Sequence, residues 1–201
     1  MYCLPLTISI DDREYAIRNN GDFRIVLECF EVLNDVELSE GERSLIALVI
    51  FYSDFNGIDD IIELQENDIK ELIDKMFWFF KCGDDSGVVA NTNYKTLDWK
   101  QDEQLICSAI NKVASTEVRA LPYLHWWTFM GYFSEIGESP LSTVVGIRTK
   151  IVKGKKLEKY EQEFQRENPQ YFNWDCRTQQ QKEDDELIKQ LWNSKGGEVS
   201  G

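Results

Sequence analysis

Residues 121–151 read LPYLHWWTFMGYFSEIGESPLSTVVGIRTKI, and how this stretch is seated decides the fold. Its opening part carries His125, the adjacent pair Trp126 and Trp127, and then Phe129, Met130, Tyr132 and Phe133. From Leu121 to Gly131 every position other than His125 and Thr128 is apolar or glycine. A helix here has no wide polar face, so it must be wrapped by other helices or by a partner chain. The helix is expected to stop at Gly137. Ser139 followed by Pro140 then pairs a Ser N-cap with Pro at the first helical position, opening a second helix to about Val152. Leu141, Val144, Val145 and Ile151 supply its apolar side.

Upstream, the chain reads as the material that does the wrapping. Leu4–Ser9 and Glu14–Ile17 are short, rich in Ile, Thr and Tyr, and separated by Ile10-Asp11-Asp12-Arg13, whose Asp pair supplies turn chemistry, which predicts a small β-hairpin. Asn19-Asn20-Gly21 ends it, and Asp22 caps a helix whose Phe23, Val26, Leu27, Phe30 and Leu33 keep a 3.6 period. Ser39-Glu40-Gly41-Glu42 fits a capping box, in which the Ser hydroxyl and the Glu carboxylate each satisfy an orphan backbone N–H. The helix behind it carries Leu45, Leu48, Val49 and Tyr52. Asn56-Gly57 is a turn and Asp59–Leu64 a short helical turn. Asn67 or Asp68 is expected to cap the clearest amphipathic helix, with Ile69, Leu72, Ile73, Met76, Phe77 and Phe80 on one face. Residues 82–93 form a polar, glycine-containing loop. Asp98–Gln101 gives a second capping arrangement before a helix that turns Leu105, Ile106, Ala109, Ile110 and Val113 inward.

Beyond Val152 the composition changes. Lys153-Gly154-Lys155-Lys156 is a polar joint, Leu157–Gln165 a charged helix ended by Asn168-Pro169, and Gln179–Trp192 another charged helix. Tyr171, Phe172 and Trp174 form an aromatic knot between them. With few apolar anchors, residues 153–201 are expected to form a partly mobile helical arm. Burial at about 25 cal/mol per Å2 seldom offsets roughly 1–2 kcal/mol of backbone entropy per ordered residue. The organisation expected is therefore a β-hairpin plus helical core over 1–152 and the arm over 153–201. The fold class is mainly α.

The 201 residues carry 36 acidic and 22 basic side chains, a net charge of −14. Residues 1–118 hold 24 of the acids against 10 bases, so the excess sits in the N-terminal part while the aromatic stretch is almost uncharged. An acidic surface repels phosphate, which disfavours nucleic acid and anionic membranes as partners. No apolar run approaches the roughly 18 residues a spanning helix needs. The five cysteines stand far apart without a CxxC pair, and MYCLPLTISI lacks a basic leader region, so free thiols in a reducing cytoplasm are expected.

Candidate chemistry is sparse. His125 is the only histidine, and its bland reading is a helix-packing residue that hydrogen-bonds a neighbour. The pairs Asp11-Asp12, Asp59-Asp60 and Asp84-Asp85 lack the spacing of a calcium loop and read as solvated acidic surface. Phosphate-binding glycine loops and a G-x-S-x-G elbow are missing from the sequence. The expectation is a protein that is not an enzyme and uses no cofactor or metal. The aromatic residues are the better candidates for function. Adjacent Trp residues lie about 100° apart on a helix, so Trp126 and Trp127 are hard to bury together, and tryptophan is enriched at interface hot spots. Trp126, Trp127, Tyr171, Phe172, Trp174 and Trp192 are the candidate partner-binding residues.

A resemblance narrows the function. Leu124-His125-Trp126-Trp127-x-Phe129, followed by Ser142-Thr143-Val144-Val145-Gly146-Ile147-Arg148, resembles the signature of the phage gene-product-fifteen family. The acidic helix start Asp98–Ile106 is a further family feature. The resemblance is clearest over 94–152. Such genes usually lie between those for the major tail protein and the tape-measure protein of phages of Gram-positive hosts, a slot that typically encodes a tail assembly chaperone. The resemblance implies a non-enzymatic chaperone that binds the tape-measure protein or tail-tube subunits, such as the major tail protein, in the host cytoplasm and is absent from the mature virion. Self-association is a further possibility. The alternative is a structural tail or neck component retained in the virion.

Overall fold

A computed structural model of the chain describes residues 3–86, 95–173 and Leu187. The fold is mainly α, with a small N-terminal hairpin, as the sequence pattern predicts. The chain forms two compact units, one of Met1–Val89 with Trp99–Thr143 and the other of Ala90–Asp98 with Val144–Gly201.

In the first unit, β1 (Thr7–Ile10) and β2 (Arg13–Ala16) pair antiparallel with Ile10 opposite Arg13, leaving Asp11 and Asp12 as the turn. Asp11 takes the turn's left-handed position at φ 49°, which Asp tolerates better than most residues. Ile8, Ile10 and Tyr15 point into the core. Asn19, Asn20 and Gly21 then run through three successive left-handed conformations. At Gly21 a β-carbon would fall 2.7 Å from Cζ of Phe79, so only glycine lets the chain pass there.

Helix α1 (Phe23–Leu33) starts where expected. Asp22 accepts from the Arg24 N–H, and its buried carboxylate also pairs with the Arg24 guanidinium at 2.9 Å. Helix α2 (Glu40–Phe51) opens with the complete Ser39/Glu42 capping box. Its far end is closed by a side chain from the hairpin side. Arg18 donates from Nε to the carbonyl of Ile50 and from Nη2 to those of Val49, Tyr52 and Phe55. One guanidinium thus satisfies orphan acceptors at the negative end of the helix dipole. The short α3 (Ile58–Ile62) follows.

Helix α4 (Glu66–Phe80) begins earlier than expected, with Gln65 rather than Asn67 or Asp68 at the cap and no side-chain cap bond. Its ladder already starts with Ile69 N–H to Gln65 O, and Glu66 and Asp68 serve instead as first-turn acids that favour the positive helix end. The buried stripe is Leu72, Met76, Phe79 and Phe80. Phe77, expected inside, is 37 % exposed, and Phe79 takes the inner place against Phe51.

Helix α5 (Glu103–Ala114) starts later than the Asp98–Gln101 capping pattern suggested. Trp99 goes into the aromatic core against Phe30, Trp126 and Phe133, so ring packing rather than capping sets the backbone there. The aromatic stretch divides. Leu121 is extended (φ −68°, ψ 136°), as Pro122 requires of the residue before it. Leu124 donates its N–H to Asp22 Oδ2, and Asp22 and His125 form an isolated antiparallel bridge. Helix α6 therefore covers only Trp126–Ser134, short of Gly137. Stacked rings pin it: Phe129 lies between Phe23, at 4.5 Å and 4°, and Trp126, at 5.6 Å and 18°.

Helix α7 (Pro140–Val152) begins in the first unit, where Ser139 Oγ accepts the Ser142 N–H as the Ser-Pro signal predicts. From Val144 it belongs to the second unit. There Arg148 is 1 % exposed, donating from Nε and Nη2 to the Tyr171 carbonyl and from Nη1 to the Thr96 carbonyl. Helix α8 (Lys159–Glu167) starts two residues beyond the expected Leu157, because Glu158 and Glu161 build a capping box. Lys150 pairs with Glu161 at 2.7 Å, and Asn168-Pro169 ends the helix in a 3-10 turn, Pro169–Tyr171.

Candidate protein-binding site

The two adjacent tryptophans are placed by what their indole N–H groups reach. A helix leaves its last carbonyls without intrahelical donors. At the end of α4, Lys81 N–H takes the Phe77 carbonyl, Gly83 N–H that of Trp78 and Cys82 N–H that of Phe79. Trp126 Nε1 donates to the Phe80 carbonyl and Trp127 Nε1 to the Phe79 carbonyl, both at 3.0 Å. Residues next to each other on α6 thus close the C-terminus of α4 as a pair of fixed donors.

His125 sets the start of α6. Its Nδ1 accepts the Trp127 N–H at 3.1 Å, which makes it the N-cap, and Nε2 lies 3.1 Å from the Pro5 carbonyl. With Nδ1 accepting, the ring is neutral, and Nε2 carries the proton and donates to Pro5. Burial lowers its pKa below the ordinary histidine value, opposed by the bond to Pro5. The histidine is therefore a cap as well as a packing residue.

Trp126 is internal at 1 % exposure, wedged among Phe30, Trp99 and Phe129, and offers no surface to a partner. Trp127 is half-buried. It packs edge-on against Trp78, and its ring meets Gly83, where a β-carbon would fall 2.9 Å from Cη2. Gly83, at φ 80°, therefore gives both the turn and the seat for this ring. Trp127 also lines an open cleft of about 360 Å3, bounded by Phe80 of α4, by Lys81 and Cys82 after it, and by Met130, Gly131 and Ser134 along α6. Burial pushes the Cys82 thiol up to about 11, so it is uncharged at neutral pH. The cleft is a mixed notch, more apolar than polar, with an aromatic wall and a methionine, a side chain that adapts to irregular ligand shapes.

The family model of the bacteriophage Gp15 protein matches residues 3–172. The chain belongs to the bacteriophage Gp15 protein family. No curated protein and no solved structure matches it. The family match spans both units and includes the Trp126–Trp127 cap and the cleft beside it.

The other expected partner-binding residues of this Gp15 protein are not among those that line the cleft. Tyr171 and Phe172 lie in the second unit, both half-buried. Tyr171 is fixed through its carbonyl by Arg148, and Phe172 packs edge-on against Phe164 at 6.3 Å. Trp174, Trp192 and the helix expected over Gln179–Trp192 lie outside the described residues, apart from Leu187. Among the described residues, no three His, Cys, Asp or Glu side chains gather as a metal-binding group, and no helix is long and apolar enough to cross a membrane. Sequence reasoning singled out the tryptophan pair but missed Gly83, Lys81 and Cys82, whose place beside Trp127 depends on the fold. The glycine after Cys82 was the available signal, since helices commonly end at a left-handed glycine.

Proposed function

We propose that this phage protein is a tail assembly chaperone that holds the tape-measure protein, tail-tube subunits or both while the tail is built. It acts by binding alone, without catalysis or cofactor, in the host cytoplasm, and it leaves before the virion is complete. The observation that carries the reading is the cleft with Trp127 as its fixed wall, set in a member of the bacteriophage Gp15 protein family. A half-buried tryptophan held by a backbone acceptor loses little conformational freedom on binding, which favours its use as an interface anchor. The net charge of −14 suits a chaperone, because self-repulsion keeps loaded complexes dispersed. Weak contacts repeated along a long client give avidity without tight single sites.

The test is co-expression of the tagged full chain with the phage's tape-measure and tail-tube proteins, with mass spectrometry of purified virions. Recovery of either tail protein with the tagged chain, and absence of the chain from virions, is the expected result. Stoichiometric presence in the particle would instead assign it as a structural tail or neck component.

A further inference from the structure

We propose that the cleft beside Trp127 takes one apolar side chain projecting from a lysine- or arginine-bearing amphipathic helix of a partner protein. This deepens the reading of the protein as a holder of another phage protein and rests on it. The apolar half of the argument is the cleft itself: Trp127 and Met130 are half-buried around a notch of about 360 Å3, room for a side chain rather than a folded surface. Phe77, 37 % exposed and edge-on to Phe80, extends the apolar surface along α4.

Charge decides the partner's polar face. The cleft lies within the first unit, whose residues 1–89 and 99–143 hold 25 acids against 10 bases. Asp84 and Asp85 follow the Cys82-Gly83 turn and Glu135 follows Ser134; the Asp84 N–H donates to the carbonyl of Lys81 and the Glu135 N–H to that of Gly131, both cleft-lining residues. The Asp84 carboxyl is held below its ordinary value by bonds from the Ser86 N–H and hydroxyl, so it is ionised. Lys81 is the charged residue of the lining itself and its cation acts on Asp84, while the residues that flank the lining in sequence, Asp84, Asp85 and Glu135, carry three carboxylates. An acidic helix would meet repulsion at this rim and a basic one attraction. Insertion of anchors from one face of an amphipathic helix into an apolar groove is an established recognition mode.

The methionines provide the readout. The chain has three, Met1, Met76 and Met130. Met130 lines the cleft and Met76 is fully buried, so methyl-labelled full-length protein reports the site and an internal control together. The probes are three designed helical peptides: one with Leu and Phe on one face and Lys on the other, one with Glu replacing Lys, and one with Ser replacing Leu and Phe. The expected result is that the first peptide alone shifts the Met130 methyl, leaves Met76 in place, and binds more weakly as salt rises. Gly131→Leu projects into the notch from a position with no atom within 4 Å of its β-carbon, and an unchanged Met76 methyl signal checks that the fold is kept. It should weaken the basic peptide about tenfold or more, as should Glu135→Lys.

The proposal is overturned if Met130 does not respond to the basic peptide, if the acidic or Ser peptide binds as well, or if Gly131→Leu binds undiminished. A Met130 shift on concentrating the protein alone would assign the cleft to a second copy and also overturn it. The chaperone reading fails separately. If Gly131→Leu still recovers tail proteins from co-expression, the chaperone survives and the cleft assignment falls. If the basic peptide binds but no tail protein is recovered, the reverse holds.

Discussion

The indole nitrogen of Trp127 sits 3.0 Å from the carbonyl oxygen of Phe79, 48 residues earlier in the chain. Trp126 makes the equivalent bond to Phe80. The two bonds differ in what their loss exposes. The Phe79 carbonyl also accepts the Cys82 N–H, so Trp127→Phe should cost about 0.5–1.5 kcal/mol. Trp126→Phe takes a buried donor from the Phe80 carbonyl and should cost about 1–3 kcal/mol. Trp126→Ala adds a cavity and should reach about 3–5 kcal/mol. Urea unfolding of the three variants checks the order, and equal losses for the two Phe variants would contradict it.

Two glycines near the cleft should respond in opposite directions. Gly83→Ala forces a β-carbon onto a residue at φ 80° and to 2.9 Å from Trp127, and should destabilise by more than about 1 kcal/mol. Gly131→Ala sits inside α6 with open space around it, and should stabilise by about 0.5–1 kcal/mol. Thermal melts of both variants at one pH are enough to test the pair.

His125 predicts a pH dependence of definite sign. Burial lowers its pKa in the folded protein below the ordinary histidine value, so the unfolded chain binds the proton more readily. The stability from the neutral ring is complete above about pH 6.5 and is lost as pH falls through the folded value. Protonating Nδ1 also removes the acceptor for the Trp127 N–H. His125→Asn keeps a side-chain cap for α6 and should flatten the stability profile below pH 6.5. An unchanged profile in that variant would assign the pH dependence to other groups.

Arg18→Ala should cost about 1–3 kcal/mol or more, because carbonyls at the end of α2 lose their donor together. Arg18→Lys should recover only part, since an ammonium cannot reproduce the planar fork that reaches four acceptors. Amide exchange of the Val49–Phe55 segment should rise in both variants.

Much of the fold was legible because its signals are local. The capping box at Ser39, the Asp22 cap, the Ser139-Pro140 start and the Asp11-Asp12 turn each depend on residues a few positions apart, and each was placed correctly. The errors fall where distant contacts override local chemistry. Leu121–Leu124 is extended because Pro122 and the Asp22 carboxylate hold it, and the start of α5 is displaced because Trp99 belongs to the core. The tryptophan pair was legible as important but not as a cap, since an indole donating to a helix end more than forty residues away leaves no periodic trace. The cleft was invisible for the same reason.

Closing α4 with indoles 46 and 48 residues downstream has a consequence for biosynthesis. At about 5–20 residues per second, a ribosome completes α4 several seconds before either tryptophan exists. During that interval the Phe80 carbonyl lacks its Trp126 donor, the Phe79 carbonyl has only the Cys82 N–H, and the ring surfaces that Trp126 and Trp127 later cover are without that cover on the nascent chain. We predict that the first unit reaches its native state only after α6 emerges, in one late step. Chains truncated before Trp126 should therefore show unprotected amides after α4, and full-length chains protected ones; early protection in the truncated chain would refute this order.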